Sequence, residues 1–150
     1  MLPILRSTSF GVPAKRVNLL PTRSFQKLVY YAQAWHLAIK DAPLFCEDIE
    51  AWIHGPAVRS VYGEYKQYGF SPITLTISEG EIHGVSSRDI LDDVWRVYGK
   101  FDGNYLELLT HSELPWQVAR EDVETHENSE TVISHDSMRD FYRGMLKKSR

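Results

Sequence analysis

Six histidines, a lone cysteine and a His-Ser-Glu step at positions 111–113 are the side chains of this 150-residue chain best suited to catalysis or metal binding. The histidines fall at 36, 54, 83, 111, 126 and 135. They form no HExxH pattern, and no two are separated by four residues, so none share a helical face in the way a zinc pair requires. Cys46 has no second cysteine to complete a thiolate site and no local activating signature. His111 and Glu113 could form an acid–base pair. The competing reading is a helix junction in which Thr110 and Ser112 satisfy orphan N–H groups. There is no nucleophile elbow, phosphate loop or dinucleotide fingerprint. The expectation is therefore a protein without cofactor, metal or catalytic residues, with a small hydrolase using His111 and Glu113 as the alternative.

The aromatic side chains are more informative. Between Phe25 and Phe70 lie two of the four tryptophans and five of the eight tyrosines. Tyr31, Trp35 and Trp116 read as core. Trp52 sits on a connector just before Gly55-Pro56, and connectors on a rigid scaffold often carry binding residues. Tyrosine, tryptophan and arginine dominate protein-binding hot spots. The candidate partner-binding set is thus Trp52, His54, Gly55, Pro56, Arg59 and Tyr62.

Charge is uneven along the chain. Six cations and no acid occur in the first 40 residues, whereas the remainder carries 11 basic and 20 acidic residues. A net charge of −3 argues against a general nucleic-acid binder. Residues 1–21 read as a basic N-terminal arm, and a regulator using that arm on DNA is a second alternative. No apolar run is long enough to cross a membrane, and no apolar core of signal-peptide type follows the charged start. With a single thiol, a reducing, cytoplasmic setting is expected.

The elements that must position these residues are mostly helical. Phe25, Leu28, Val29, Ala32 and Ile39 form one apolar stripe, and Asp41-Ala42-Pro43 ends that helix. Ile49, Ala51 and Ile53 alternate as a short strand. A second helix is expected over about 56–68, with Pro56 in its first turn and a close helix contact at Gly63. Ile73–Ile77 alternates as a strand that could pair with 82–85 as a hairpin. A third helix buries Ile90, Leu91, Val94, Val97, Tyr98 and Phe101. Short helices follow from Tyr105 and from Ser112. A last helix faces Met138, Phe141, Tyr142 and Met145 inward. The fold class is mainly α: a compact domain of five to six helices over 22–150 with a small β hairpin on one side.

Three motifs in order, YYAQ-W from Tyr30, EAW-GP-Y from Glu50 and LTH-E-PW from Leu109, carry a resemblance. Together they resemble the Panacea domain of SocA-like antitoxins, over roughly residues 22–146. The resemblance implies Gln33, Trp35, Leu109, Thr110, His111, Pro115 and Trp116 as motif positions, mainly structural. It implies an antitoxin that neutralises a cognate toxin by direct protein–protein binding, with delivery of toxin to a protease known for one member. A homodimer is compatible with it. The acidic balance after residue 40 suggests one aromatic and acidic surface offered to a basic toxin. A stable complex of that kind buries about 1,200–2,000 Å² in total.

Overall fold

A single helix runs through the centre of the molecule, and its polar side chains hold the rest in place. The computed structural model describes residues 18–66, 72–75, 85–124 and 126–148. In chain order these give strand β1 (Asn18–Pro21), helix α1 (Thr22–Lys40), strands β2 (Glu50–Trp52) and β3 (Gly55–Ala57), and helix α2 (Arg59–Tyr65). Strand β4 (Pro72–Leu75) follows, then α3 (Val85–Tyr98), α4 (Gly103–His111), α5 (Leu114–Ala119) and α6 (His135–Lys148). Six helices and two small antiparallel pairs make the mainly α architecture expected from the sequence.

Helix α1 packs against α6, α3, α4 and β3. Every residue from Ser24 to Ala34 is buried, so the single-stripe reading underestimated it. Ile39, placed on that stripe, is instead half exposed near the helix end. A helix enclosed on all sides is normally apolar all round. This one also buries Ser24, Gln26, Lys27, Gln33 and His36. Three of these stand in for missing backbone partners. Gln26 accepts from Val58 N–H at 2.9 Å and donates to Val58 C=O at 3.1 Å. Gln33 accepts from Leu44 N–H at 2.7 Å and donates to Phe45 C=O at 2.9 Å. His36 contacts Ala42 O and Ser87 Oγ through its two ring nitrogens. Buried backbone groups need partners, and these side chains supply them to connectors that have no ladder. Asp41 ends the helix at φ 56°, with its N–H on Leu37 C=O.

Residues 73–75 of the strand expected at 73–77 lie in β4, whose partner is β1, in the register Asn18↔Leu75 to Pro21↔Pro72; 76 and 77 lie outside the described residues. Of the return leg expected over 82–85, residues 82–84 lie outside the described residues and Val85 opens α3 instead; residues 1–17 of the arm and the expected helix end at 67–69 also lie outside them. The tight hairpin is elsewhere, between β2 and β3, with Trp52 opposite Gly55. Pro56 is therefore in a strand opposite Ala51, not in the first turn of α2, which begins at Arg59. Gly63 faces open space rather than a neighbouring helix. In α3, Ile90, Leu91, Val94 and Tyr98 are buried, whereas Val97 is 40% exposed; in α6, Met138 and Tyr142 are buried and Met145 is largely outside. Among the described residues, no helix is long and apolar enough to cross a membrane.

Candidate functional site

The β2–β3 hairpin and the start of α2 stand over the first half of α1 and leave a groove of about 370 Å³ between them. The hairpin turns through Ile53 and His54. Gly55 closes it at φ +113°, a conformation that side chains resist. A Cβ on Gly55 would also come within 2.5 Å of Lys27 Cε. Ile53 N–H bonds Asn128 Oδ1 at 3.1 Å, and Ala51 N–H bonds Thr131 C=O at 2.8 Å. The loop after α5 is thereby tied to the hairpin's outer edge.

Two side chains from α5 and its end fix this hairpin from below. Trp116 donates from Nε1 to Trp52 C=O at 2.8 Å. Arg120, 4% exposed, donates to Ala51, Glu124 and Glu127 carbonyls, and its guanidinium lies 4.9 Å from the Trp116 ring centre. With its backbone so held, Trp52 turns its ring outward. It meets Tyr62 edge-on at 5.2 Å, and Arg59 lies over it at 5.7 Å. Arg59 in turn bonds Glu50 and Glu130, while Trp52 Nε1 donates to Glu50 Oε1 at 2.9 Å.

Of the partner-binding candidates, Trp52, His54, Gly55 and Tyr62 line the groove. Arg59 covers Trp52 from outside, and Pro56 is buried in β3. Sequence reasoning missed Arg23, Lys27 and Lys66, which also line it. No carboxylate does so among the described residues, so the aromatic groove is cationic rather than the acidic surface expected. Beneath it, Glu107 is paired with Arg23 and lies 3.5 Å from His54 Nδ1. Burial works against the Glu107 carboxylate, but Arg23 and His54 outweigh it and hold its pKa below the usual range. Lys27 is only 3% exposed. Burial lowers its pKa to about 8, against the attraction of Glu107 and with the repulsion of Arg23.

His111 and Glu113 are engaged separately. His111 stacks on Trp116 with ring centres 3.9 Å apart, and burial lowers its pKa. Glu113 is buried and accepts from Tyr31 OH at 2.7 Å and Tyr142 OH at 2.9 Å. Burial raises its pKa, with the two hydroxyls opposing. Neither residue lines the groove. Nor do Thr110 and Ser112 cap N–H groups as expected: their hydroxyls donate back to Glu107 and Leu109 carbonyls. The N-cap of α5 is Glu113, without a side-chain cap bond, and Pro115 sits in its first turn. Trp35 donates to Tyr98 OH at 3.0 Å, and Leu109 packs against the core. Among the described residues no group of three or more metal-ligating side chains converges.

No curated protein and no solved structure matches the chain. The family model described as "Antitoxin SocA-like, Panacea domain" matches residues 25–117, which run from Phe25 in α1 through the hairpin to Gln117 in α5 and include every groove-lining residue except Arg23 and Asn128. The chain therefore belongs to the SocA-like antitoxin family of Panacea-domain proteins.

Proposed function

We propose that this protein neutralises a toxin by binding it directly, with the groove between Trp52 and Tyr62 at the centre of the contact. One observation carries the reading. Trp52 and Tyr62 form an aromatic pair that lines the groove, with Tyr62 46% exposed on α2 and Trp52 on a hairpin anchored by Trp116 and Arg120. A rigid aromatic anchor loses little conformational freedom on binding, and tryptophan, tyrosine and arginine are the residues enriched at hot spots. Family membership supplies the kind of partner. In this reading the toxin's active groups are occluded by the bound domain.

Co-expression with the product of the adjacent gene tests this. Growth should be restored and the two proteins should co-purify, and the double variant Trp52→Ala, Tyr62→Ala should lose both effects while remaining folded. Persistent growth inhibition with no complex would remove the reading.

A further inference from the structure

We infer that the groove reads a carboxylate: Lys27 at its floor receives one aspartate or glutamate side chain from a partner segment lying between Trp52 and Tyr62. The partner's identity as a toxin rests on the reading above; the carboxylate does not.

Lys27 is placed unusually for a lysine. Long cationic side chains generally run along apolar surface and leave the charge in water. Here the stem passes under the hairpin turn, through the space that a Cβ on Gly55 would reach. Its end therefore stays at the groove floor, where the side chain is 3% exposed yet still lines the opening. Around it stand Arg23 on the same helix, His54 and Lys66 on the walls, and Glu107 and His111 on α4. Glu107 is already taken by Arg23 and His54. The opening thus has an excess of positive charge and no carboxylate of its own among the described residues. A buried charge without a close counter-ion is costly, and an entering anion relieves that cost. Burial also makes the Lys27 proton easier to lose. A carboxylate that restores it should bind less well as pH rises through about 8.

The surroundings select the kind of anion. Glu50 and Glu130 gather at Arg59 outside Trp52, and Glu107 lies under the floor. The chain beyond residue 40 is acidic. A phosphate chain crossing this rim would meet repulsion on both sides. A single carboxylate between two aromatic walls would not, and the groove is of side-chain size.

The test uses the full chain and two capped pentapeptides, Gly-Gly-Glu-Gly-Gly and its glutamine counterpart, with inorganic phosphate as a third probe. Binding is followed by the Trp52 indole and Gly55 amide signals in nitrogen–proton correlation spectra. The glutamate peptide should bind about tenfold or more tightly than the glutamine peptide, the scale of one charge-assisted hydrogen bond. Lys27→Met should reduce the glutamate peptide to the level of the glutamine one. Equal binding of the two peptides to the unaltered protein would overturn the inference, without relying on any variant folding. So would unchanged glutamate binding in a folded Lys27→Met protein. Tighter binding of phosphate than of the glutamate peptide would overturn it in favour of a phosphorylated ligand. If the toxin fails to co-purify while the glutamate preference holds, the toxin reading falls and the slot stands. If toxin binds Lys27→Met as well as the unaltered chain, the slot falls as a partner contact and the toxin reading stands.

Discussion

Two aromatic clusters of this domain differ in how far they are enclosed. In the inner one, Tyr30, Tyr31, Tyr98, Tyr142 and Trp35 surround the Glu113 carboxylate. Tyr30 OH meets Tyr142 OH at 2.9 Å, Tyr31 stacks on Tyr98 at 3.9 Å, and each indole or phenol polar group has a partner inside the protein. In the outer one, the Trp52 carbonyl is held by Trp116 and its indole N–H by Glu50, Arg59 lies over its ring, and Tyr62 and Arg59 are exposed. The same residue types therefore do two jobs. An aromatic cluster closed on itself contributes stability, whereas one held from behind and open in front is available to another molecule.

The largest test of that division is at Tyr142. Its replacement by alanine empties a fully buried site that joins α6 to α1 and leaves Glu113 short of a donor. A loss of about 3–5 kcal/mol is expected in urea denaturation, the range for large aromatic truncations. Trp52→Ala should behave oppositely. Its stability should change by about 1 kcal/mol or less, while affinity for the toxin falls about thirtyfold or more, as at a hot spot. Equal destabilisation by the two variants would erase the distinction between the clusters.

Lys27 and Glu113 sharpen it through pH. The lowered Lys27 pKa means that, between about pH 8 and the ordinary 10.5, the unfolded chain holds more protons than the native one. Stability attributable to this group thus rises with pH across that window and is lowest below it. Lys27→Met should abolish the rise and be more stable at neutral pH, measured as urea midpoints from pH 7 to 11. Glu113 runs the other way. Its raised pKa keeps the proton on the native state longer, so its contribution falls as pH climbs from the ordinary 4.5 through the folded value. Glu113→Gln, whose oxygen can still accept from both tyrosines, should flatten that fall, measured as urea midpoints from pH 4 to 8. The smallest effect belongs to Arg59→Ala. Its ion pairs are with Glu50 and a largely exposed Glu130, and its own side chain is more than half exposed. Only a marginal loss of stability is expected, smaller still in high salt.

Much of the fold was legible before the structure. The helices at 22–40, 85–98 and 135–148 follow from apolar periodicity and their end signals, which are local properties. Pro56 misled because a proline after glycine signals a helix start as readily as an edge strand; its pairing with Ala51 depends on a chain segment brought alongside. The β4 strand was visible in Ile73-Thr74-Leu75, but its partner β1 lies more than fifty residues earlier, and alternation carries no information about who pairs with whom. For the groove, Trp52, His54 and Gly55 were found from residue type and position around a connector, and Tyr62 from residue type on the helix that follows. Lys27 was missed because a lysine off an apolar stripe reads as solvated. Arg120 was not singled out, and nothing in its neighbours announces that it would clamp three carbonyls.

What the sequence determined by itself is therefore the set of helices, their mainly apolar faces and the family to which the chain belongs, since these depend on residues close together in the chain. What only the tertiary structure decided is which polar side chains the central helix keeps away from water. Gln26, Lys27 and Gln33 are alike as exposed helix formers; they acquire different roles because different connectors are laid against them. The physical reason is that burial is a property of the assembled layers, and a side chain's charge state and partners follow from burial rather than from its position in the chain.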